Sequence, residues 1–155
     1  MSINKTDSAV FRKRNIILAM IFYLFGTSLS GQELVFEHFS SYDGLSNNLV
    51  RDIIQDKDGY LWFATSGGLN RFDGYYFDIY KPVFGDTLSL SESRLFELFV
   101  DSKGYVWARS SLGNVHRIDA EKKEVLNLKE LGVIPPGTTS LAFEVSEWGD
   151  IWLVL

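Results

Sequence analysis

The strongest constraint on how this chain can fold is a spacing of 45 residues that recurs along it. Three glycines and three tryptophans follow this spacing in register: Gly59, Gly104, Gly149, Trp62, Trp107 and Trp152. Chance placement of six such residues in one register is improbable, so the spacing indicates repeated copies of one structural unit.

Each copy has the sequence pattern of a β-hairpin. The copies read DKDGYLW from Asp56, DSKGYVW from Asp101 and SEWGDIW from Ser146, and each follows an apolar run. An Asp or Ser at the first turn position can accept hydrogen bonds from the turn backbone, and a Gly three residues later adopts a left-handed conformation easily. The aromatic and branched residues that follow suit a pleated strand. A second turn and two further strand-like runs complete a unit of four short strands.

Four strands in a 45-residue period are typical of a β-propeller blade. A β-sandwich with similar hairpins is the alternative, whereas helical repeats are disfavoured because no segment after residue 30 keeps a 3.6-residue period free of Gly and Pro. We expect an all-β, partial β-propeller of about two and a half four-stranded blades. Its predicted parts are an N-terminal strand and loop at 31–48, blade 1 at 49–82, blade 2 at 94–128 and the start of blade 3 at 139–155. Within the first part, residues 34–39 are expected to be the strand that completes the last blade of a closed ring.

The first thirty residues have the pattern of a signal peptide. Arg12, Lys13 and Arg14 precede an apolar run at 16–25, and Ser28 and Ser30 supply the small residues of a cleavage site. A membrane anchor or a buried helix is the alternative, but ten apolar residues are far fewer than the roughly 20 that a spanning helix needs. We therefore predict a signal peptide helix at 1–30 and export to the periplasm.

Charge and cysteine content exclude several functions. The 155 residues include twenty acids and fifteen bases, a net charge of -5, and 46% are hydrophobic. Without residues 1–30, eleven bases and nineteen acids remain, a net charge of -8. A nucleic-acid-binding face needs the opposite sign. The absence of cysteine excludes disulfides and thiolate metal sites.

The candidate catalytic side chains lack the arrangement that catalysis needs. His38 and His116 lie in strand-like segments without a paired nucleophile or metal-ligand spacing, and we place His116 on a strand surface. Five carboxylates could suggest a glycosidase pair: Asp52, Asp56, Asp58, Asp73 and Asp78. However, Asp56 and Asp73 recur as Asp101 and Asp119, and residues repeated in each unit are usually scaffold. We predict no catalytic, cofactor-binding or metal-binding residue.

The aromatic residues suggest two roles. The repeated tryptophans Trp62, Trp107 and Trp152 are expected to fill the core between blades, and the residues repeated with them to be structural: Asp56, Gly59, Asp101, Gly104 and Gly149. The other aromatics could stack on sugar rings or simply pack: Tyr42, Tyr60, Tyr75, Tyr76, Tyr80, Tyr105 and Trp148. The ligand-binding residues stay open.

Three motifs resemble a known family. They are YDGLSNN at 42–48, the D-x-x-G-x-L-W turn at 56–62 and GLNRFDG at 68–74. Together they resemble the start of the two-component regulator propeller, the periplasmic sensor region of hybrid sensor histidine kinases of Bacteroidetes. The second copy matches less well, because Ala108-Arg109 stands where the family favours Gly-Thr, and the third copy stops at Leu155.

The resemblance implies an N-terminal part of a sensor that is itself not an enzyme. In the family, further blades, a membrane helix in the inner membrane and a kinase follow, and the implied partners are a small-molecule or oligosaccharide ligand, the remaining blades and kinase, and a second copy in a homodimer. No cofactor and no nucleic acid is implied for this part. Two alternatives stay open: a secreted binding or structural propeller without a kinase, and a propeller glycan hydrolase or lyase. With sheet edges and one sheet face uncovered, the isolated chain is expected to be marginally folded or self-associating.

Overall fold

The computed structural model describes residues 34–135, 137–146, 148 and 150–154, together with Ile16 and Met20. The chain divides into two compact units, residues 1–37 and residues 38–155. Ile16 and Met20 are helical and exposed, and the rest of the predicted signal peptide lies outside the described residues. In the described part of the chain, no helix is long and apolar enough to cross a membrane.

In the described part of the second unit, ten strands form three antiparallel sheets. Sheet 1 consists of β1 (Val50–Gln55), β2 (Leu61–Thr65), β3 (Gly68–Phe72) and β4 (Phe77–Tyr80), in that order. Sheet 2 consists of β5 (Leu95–Val100), β6 (Val106–Ser110), β7 (Val115–Asp119) and β8 (Glu124–Asn127), and sheet 3 of β9 (Ala142–Val145) and β10 (Ile151–Val154). The predicted all-β partial propeller is confirmed.

Sheets 1 and 2 share the same strand register. Trp62 lies opposite Ile54 and Arg71, and the equivalent Trp107 lies opposite Phe99 and Arg117. Both first strands also contain an irregularity at the same place, between Val50 and Asp52 in β1 and between Leu95 and Glu97 in β5. Such a bulge bends a strand and increases its twist. The 45-residue period therefore repeats backbone geometry as well as residue type.

The sheets pack face to face through their apolar faces, with β5, the first strand of sheet 2, adjacent to β1 on one side and to β9 on the other. Side chains of a strand alternate between its two faces, so each sheet presents one apolar face to each neighbour. One core lies between sheets 1 and 2 and contains Trp62, Ala64, Leu69, Leu90, Leu95, Leu98, Val106, Ala108, Ile118 and Val125. A second core lies between sheets 2 and 3 and contains Trp107, Val115, Leu128, Ile134 and Phe143.

The prediction that all three repeated tryptophans fill a core is wrong for the third. Trp62 is 0% exposed and Trp107 is 4% exposed, but Trp152 is 69% exposed. Each of the first two indoles is covered by the next sheet along the chain, and no described residue covers the corresponding face of sheet 3. Gly149, the third repeated glycine, lies outside the described residues.

Residues 34–48 contain no strand, although we expected one there. The segment is irregular except for a short 3-10 helix at Ser41–Asp43, which Ser40 caps. The apolar residues Leu34, Val35 and Phe36 are exposed. A strand needs a partner edge for its backbone hydrogen bonds. The role of residues 34–39 in closing a ring therefore stays a prediction.

Candidate functional site

The first repeated turn is held by a single carboxylate. Asp56 Oδ1 accepts hydrogen bonds from the backbone N–H groups of Asp58 and Tyr60, both at 3.0 Å. Asp56 Oδ2 accepts a hydrogen bond from the indole Nε1 of Trp62 at 2.7 Å. Gly59 has φ +89°, a conformation that glycine adopts without strain. Both oxygens of the carboxylate are therefore occupied by its own hairpin.

The second turn repeats this geometry. Asp101 Oδ1 accepts from the N–H groups of Lys103 and Tyr105 at 2.9 and 3.0 Å, and Oδ2 accepts from Trp107 Nε1 at 2.9 Å. Gly104 has φ +87°. Asp101 is buried, and a buried carboxylate needs hydrogen-bond donors, which these three N–H groups supply. The aspartate thus links the turn to the indole that fills the core.

The third turn lacks the link to the indole. Ser146 stands at the aspartate position, and its Oγ accepts a hydrogen bond from the backbone N–H of Asp150 at 3.0 Å. The backbone N–H of Ser146 donates to the carbonyl of Asp150 at 2.8 Å, as Asp56 does to Tyr60. A serine hydroxyl is too short to reach the indole as well. Among the described residues, the backbone hydrogen bond of the turn is thus repeated, whereas no hydrogen bond joins Ser146 to the Trp152 indole.

Two of the tyrosines considered for sugar stacking are covered by arginine. The Arg71 guanidinium lies 3.6 Å from the centre of the Tyr60 ring, and that of Arg117 lies 4.5 Å from the centre of the Tyr105 ring. These are cation–π contacts. Their repetition indicates that both arginines support the scaffold, a role that was not predicted. The signal was present in the sequence, because Arg71 and Arg117 each stand two residues before an aspartate, Asp73 and Asp119.

The remaining aromatic candidates separate into packed and exposed residues. Tyr80 packs against Trp62 with 5.6 Å between ring centres, and burial raises the pKa of its hydroxyl. Four aromatics are largely exposed: Tyr42, Tyr75, Tyr76 and Trp148. Of these, Tyr75, Tyr76 and Trp148 lie in turns that follow β3 or β9, at the same end of the sheets as the repeated Asp-Gly turns. This end, the turn end, therefore carries free aromatic surface.

A polar cleft of about 450 Å³ opens at the turn end, between sheets 1 and 2. Its walls are the repeated turns of both sheets and the turn between β7 and β8. The charged side chains that line it are Asp56, Lys57, Asp58, Arg71, Lys103, Asp119, Glu121 and Lys123, with Tyr105 beside them. The lining includes both hydrogen-bond donors and acceptors, which suits a ligand with many hydroxyl groups. Among them, Asp58 and Lys103 are exposed and contribute no side-chain hydrogen bond to the fold.

The opposite end of the sheets carries buried polar side chains in repeated positions. Asn70 Oδ1 accepts from the N–H of Ser46 at 2.7 Å, and His116 Nε2 accepts from the N–H of Ser91 at 3.2 Å. This pair was not predicted, although Leu45-Ser46 and Leu90-Ser91 are 45 residues apart. In the second copy, Glu92 also accepts a hydrogen bond from Asn114 Nδ2 at 2.7 Å.

The two histidines lie in different environments, and both predictions about their positions are wrong. His116 is 0% exposed rather than on a strand surface, and burial lowers its pKa to about 4. It is therefore neutral and structural at pH 7. His38 is exposed and lies outside any strand.

The other carboxylates mostly hold the backbone. Asp52 accepts from the N–H of Leu98, and Asp73 from the N–H groups of Tyr75 and Tyr76, which lower the pKa of Asp73. Asp78 lies 3.4 Å from the Lys123 ammonium. No group of three or more His, Asp or Glu side chains suited to a metal ion occurs in the described part of the chain.

Comparison with known proteins confirms the resemblance. Residues 44–67 match the family model of the two component regulator propeller, a range that includes the first repeated turn. Over 82 residues, 52% of its length, the chain is 42% identical to Histidine kinase P4 of Formosa agariphila, of which the match spans 6%.

Solved structures confirm the fold. One is described as the extracellular domain of a one component system, BT4673, from B. thetaiotaomicron. It matches with a TM-score of 0.57 and 22% identity, over 84% of this chain and 17% of that chain. A second structure, described as the extracellular domain of the hybrid two component system BT4673, matches with a TM-score of 0.56 and 22% identity over 81% and 16%. The chain therefore spans a small part of each relative.

Proposed function

We propose that this chain, which carries a two-component regulator propeller repeat at residues 44–67, forms part of the periplasmic sensor propeller of a hybrid two-component histidine kinase. The observation that carries the proposal is the 42% identity to a histidine kinase over 82 residues, about half of the chain. The signal peptide pattern of residues 1–30 supports a periplasmic location.

The role proposed for this part is ligand binding without catalysis. Two of the carboxylates that could serve a glycosidase already accept hydrogen bonds from backbone N–H groups. Asp56 accepts them from its own turn, and Asp52 accepts one from Leu98. A glycosidase needs two free carboxyl groups on either side of the bond it cleaves. Sensing needs only a surface that binds the stimulus more tightly in one conformation of the protein than in another.

The ligand class that we propose is a glycan fragment, bound at the turn end. The cleft between sheets 1 and 2 offers both charged donors and charged acceptors, and sugar hydroxyls can both donate and accept. The exposed Tyr75, Tyr76 and Trp148 lie at the same end and can add stacking on sugar rings.

The proposed mechanism uses the position of the cleft. Its walls come from both sheets, so a ligand that bridges Asp58 and Lys103 favours one spacing of the two turns. A ligand can shift an equilibrium only by its difference in affinity for the two states. We propose that the preferred spacing biases how two sensor regions associate, and thereby the kinase dimer.

Binding is tested by calorimetry and thermal shift with neutral and acidic oligosaccharides on the 155-residue chain. Lys103→Ala should weaken binding, whereas Arg94→Ala should not, because Arg94 precedes β5 and Lys103 follows it, at opposite ends of the strand. Equal effects of both substitutions would contradict ligand binding in the cleft. The sensor assignment has its own test, which is sequencing of the genomic locus. It should encode further blades and a kinase, and a locus that encodes a secreted propeller alone would overturn it.

A further inference from the structure

Two lysines from different sheets come together in the cleft at the turn end. Lys57 belongs to the first repeated turn and Lys103 to the second, and both line the cleft. The Lys57 side chain reaches the second turn and lies over Gly104, the residue that follows Lys103. A Cβ placed on Gly104 would be 2.6 Å from Lys57 Cε and 3.1 Å from Lys57 Nζ. The Lys57 ammonium therefore lies beside the backbone of the turn that carries Lys103.

These two ammonium groups have no carboxylate partner. In the described part of the chain, neither lysine forms an ion pair, whereas Lys122 pairs with Asp119 at 3.6 Å and Lys123 with Asp78 at 3.4 Å. Like charges in one cleft repel each other, and a nearby anion stabilises them. The arrangement therefore leaves two positive charges that a bound group can neutralise.

The acidic side chains of the cleft are partly occupied. Asp56 accepts three hydrogen bonds within its own hairpin. Asp119 belongs to an ion pair and accepts a hydrogen bond from a backbone N–H group. Asp58 and Glu121 are exposed and line the cleft. Two of the four acids are thus available to a ligand.

Arg71 adds a third positive charge to the cleft lining. Its guanidinium lies 3.6 Å from the centre of the Tyr60 ring, and in the described part of the chain it forms no ion pair with a carboxylate. Three cations without a carboxylate partner therefore accompany two available acids, in a chain with a net charge of -5. A local excess of positive charge in an acidic protein favours an anionic ligand at that place.

The two lysines, unlike the scaffold residues, are not repeated. Ser102 stands where the first copy has Lys57, and Asp58 and Trp148 stand where the second copy has Lys103. The turns of sheets 1 and 2 nevertheless have the same hydrogen bonds from the backbone to their aspartate. Neither lysine is therefore needed to form a turn, and their charge is a property of this one cleft.

We propose that the cleft binds an acidic sugar, whose carboxylate or sulfate group lies between Lys57 and Lys103. This inference rests on the glycan ligand of the proposed function and specifies the class of sugar. An oxyanion can accept charge-assisted hydrogen bonds from both ammonium groups, and the sugar hydroxyls can donate to Asp58 and Glu121. Because Lys57 belongs to sheet 1 and Lys103 to sheet 2, the bound anion also links the two sheets.

Inorganic sulfate and acetate test the anion site directly, because they carry the two acidic groups without the sugar. In titrations of the 155-residue chain at constant ionic strength, both ions should shift the amide NMR signals of Gly104 and Tyr105 until the site is saturated, and chloride should not. Lys57→Gln and Lys103→Gln should each weaken this binding by about threefold to tenfold, since each removes one charge. Lys81→Gln is the control, because Lys81 is exposed and follows β4 at the other end of sheet 1.

Alanine substitutions at two equivalent glycines test the position of the Lys57 side chain. Gly59 and Gly104 have nearly the same conformation, φ +89° and +87°, so alanine strains both turns alike. A Cβ on Gly104 would displace Lys57, whereas one on Gly59 would lie 3.9 Å from its nearest described neighbour, Gln55 Nε2. Gly104→Ala should therefore weaken sulfate binding and Gly59→Ala should not. Circular dichroism checks that both variants keep their β structure.

Matched oligosaccharides separate this inference from the proposed function. The probes are neutral, uronic acid and sulfated oligomers of glucose, galactose and mannose, all of equal length, and calorimetry measures their binding. An acidic oligomer should bind more tightly than its neutral counterpart, and this preference should disappear in Lys57→Gln. It should also fall as the salt concentration rises, because salt screens charge interactions. The uronic acid and sulfated members distinguish a carboxylate from a sulfate.

The possible outcomes differ in what they contradict. The proposal is overturned if neither sulfate nor acetate gives a saturable shift, or if the variants at positions 57 and 103 bind these ions as tightly as Lys81→Gln does. Binding of neutral oligomers alone would also overturn it, but would leave the proposed function intact. Sulfate or acetate binding at the lysines without binding of any oligomer would support the anion site and contradict the glycan ligand.

Discussion

The Asp52 carboxylate accepts a hydrogen bond from the backbone N–H of Leu98, with 2.8 Å between Oδ2 and the nitrogen. Asp52 belongs to β1 and Leu98 to β5, so this bond joins the first strands of sheets 1 and 2. Asp52 also accepts from the N–H of Ile53 at 2.8 Å. One side chain thus holds both its own strand, next to the bulge, and the neighbouring sheet.

Asp52→Ala should lower the free energy of unfolding by about 1–2 kcal/mol, because the N–H of Leu98 loses an acceptor in a partly buried position. Asp52→Asn should lower it less, since the amide oxygen can still accept. Urea unfolding at low protein concentration measures both. Asp58→Ala is the control, because the Asp58 side chain is exposed and holds no backbone group. Equal losses for the Ala variants at 52 and 58 would contradict a role for the bond between sheets.

Asp101→Asn separates the two roles of the repeated aspartate, which holds the turn backbone with one oxygen and the tryptophan indole with the other. The amide oxygen can replace Oδ1 and still accept from the N–H groups of Lys103 and Tyr105. The amide nitrogen would then face the Trp107 indole N–H, two donors without an acceptor, at a cost of about 1–3 kcal/mol. Urea unfolding should report this loss, and the NMR signal of the indole N–H of Trp107 should shift. Ser102→Asn, at an exposed neighbouring position, should change neither; an unchanged indole signal in Asp101→Asn would refute the assignment.

His116 should make stability depend on pH in the mildly acidic range. Burial lowers the pKa of the folded state to about 4, with Glu92 acting in the opposite direction, whereas an unfolded histidine has a pKa of about 6.5. The unfolded state therefore binds more protons between these values, so stability is complete above about pH 6.5 and falls as the pH drops toward 4. Between pH 7.5 and pH 5 the expected loss is about 2 kcal/mol.

The matched variant for this effect is His116→Asn, which places there the residue that sheet 1 has at Asn70. Unfolding at several pH values should give a flatter profile for this variant than for the unmodified chain. His38→Asn should leave the profile unchanged, since His38 is exposed. If the profile keeps its slope in His116→Asn, another group is responsible for it.

Alanine substitutions at Gly113 and Gly74 separate the effect of backbone strain from the effect of a steric clash with neighbouring backbone atoms. Both have positive φ, +74° and +99°, so an alanine at either position costs about 1–2 kcal/mol. A Cβ on Gly74 would meet no atom within 4 Å, but one on Gly113 would lie 2.5 Å from the carbonyl oxygen of Ser140 and 2.8 Å from its nitrogen. Those backbone atoms precede sheet 3 and cannot move as a side chain tip can.

Gly113→Ala should therefore destabilise the chain more than Gly74→Ala, and it should also loosen sheet 3. Urea unfolding measures the first effect, and faster amide hydrogen exchange in β9 and β10 measures the second. Similar stability of the two variants would show that the Ser140 segment is not held against Gly113.

The features that could be predicted from the sequence are those that depend on residues close together in the chain. The turns depend on an aspartate, a glycine three residues later and the strand residues that follow, all within seven positions, and so the hairpins around Asp56 and Asp101 were predictable. The four-strand unit followed from the 45-residue period, because copies of one pattern fold to copies of one geometry. The polar pair of Ser46 and Asn70 carried the same periodic signal and was missed because its two residues are 24 positions apart.

Burial was decided by tertiary structure alone. Trp62 and Trp152 occupy the same position of the same pattern, yet one is inaccessible and the other is 69% exposed, because the difference lies in whether a neighbouring sheet covers the indole. His116 and the polar cleft follow the same rule, since a buried ring and a cleft between two turns exist only once sheets 1 and 2 have packed. A repeat pattern specifies what each sheet presents on its faces, and the packing of whole sheets determines which of those faces meet.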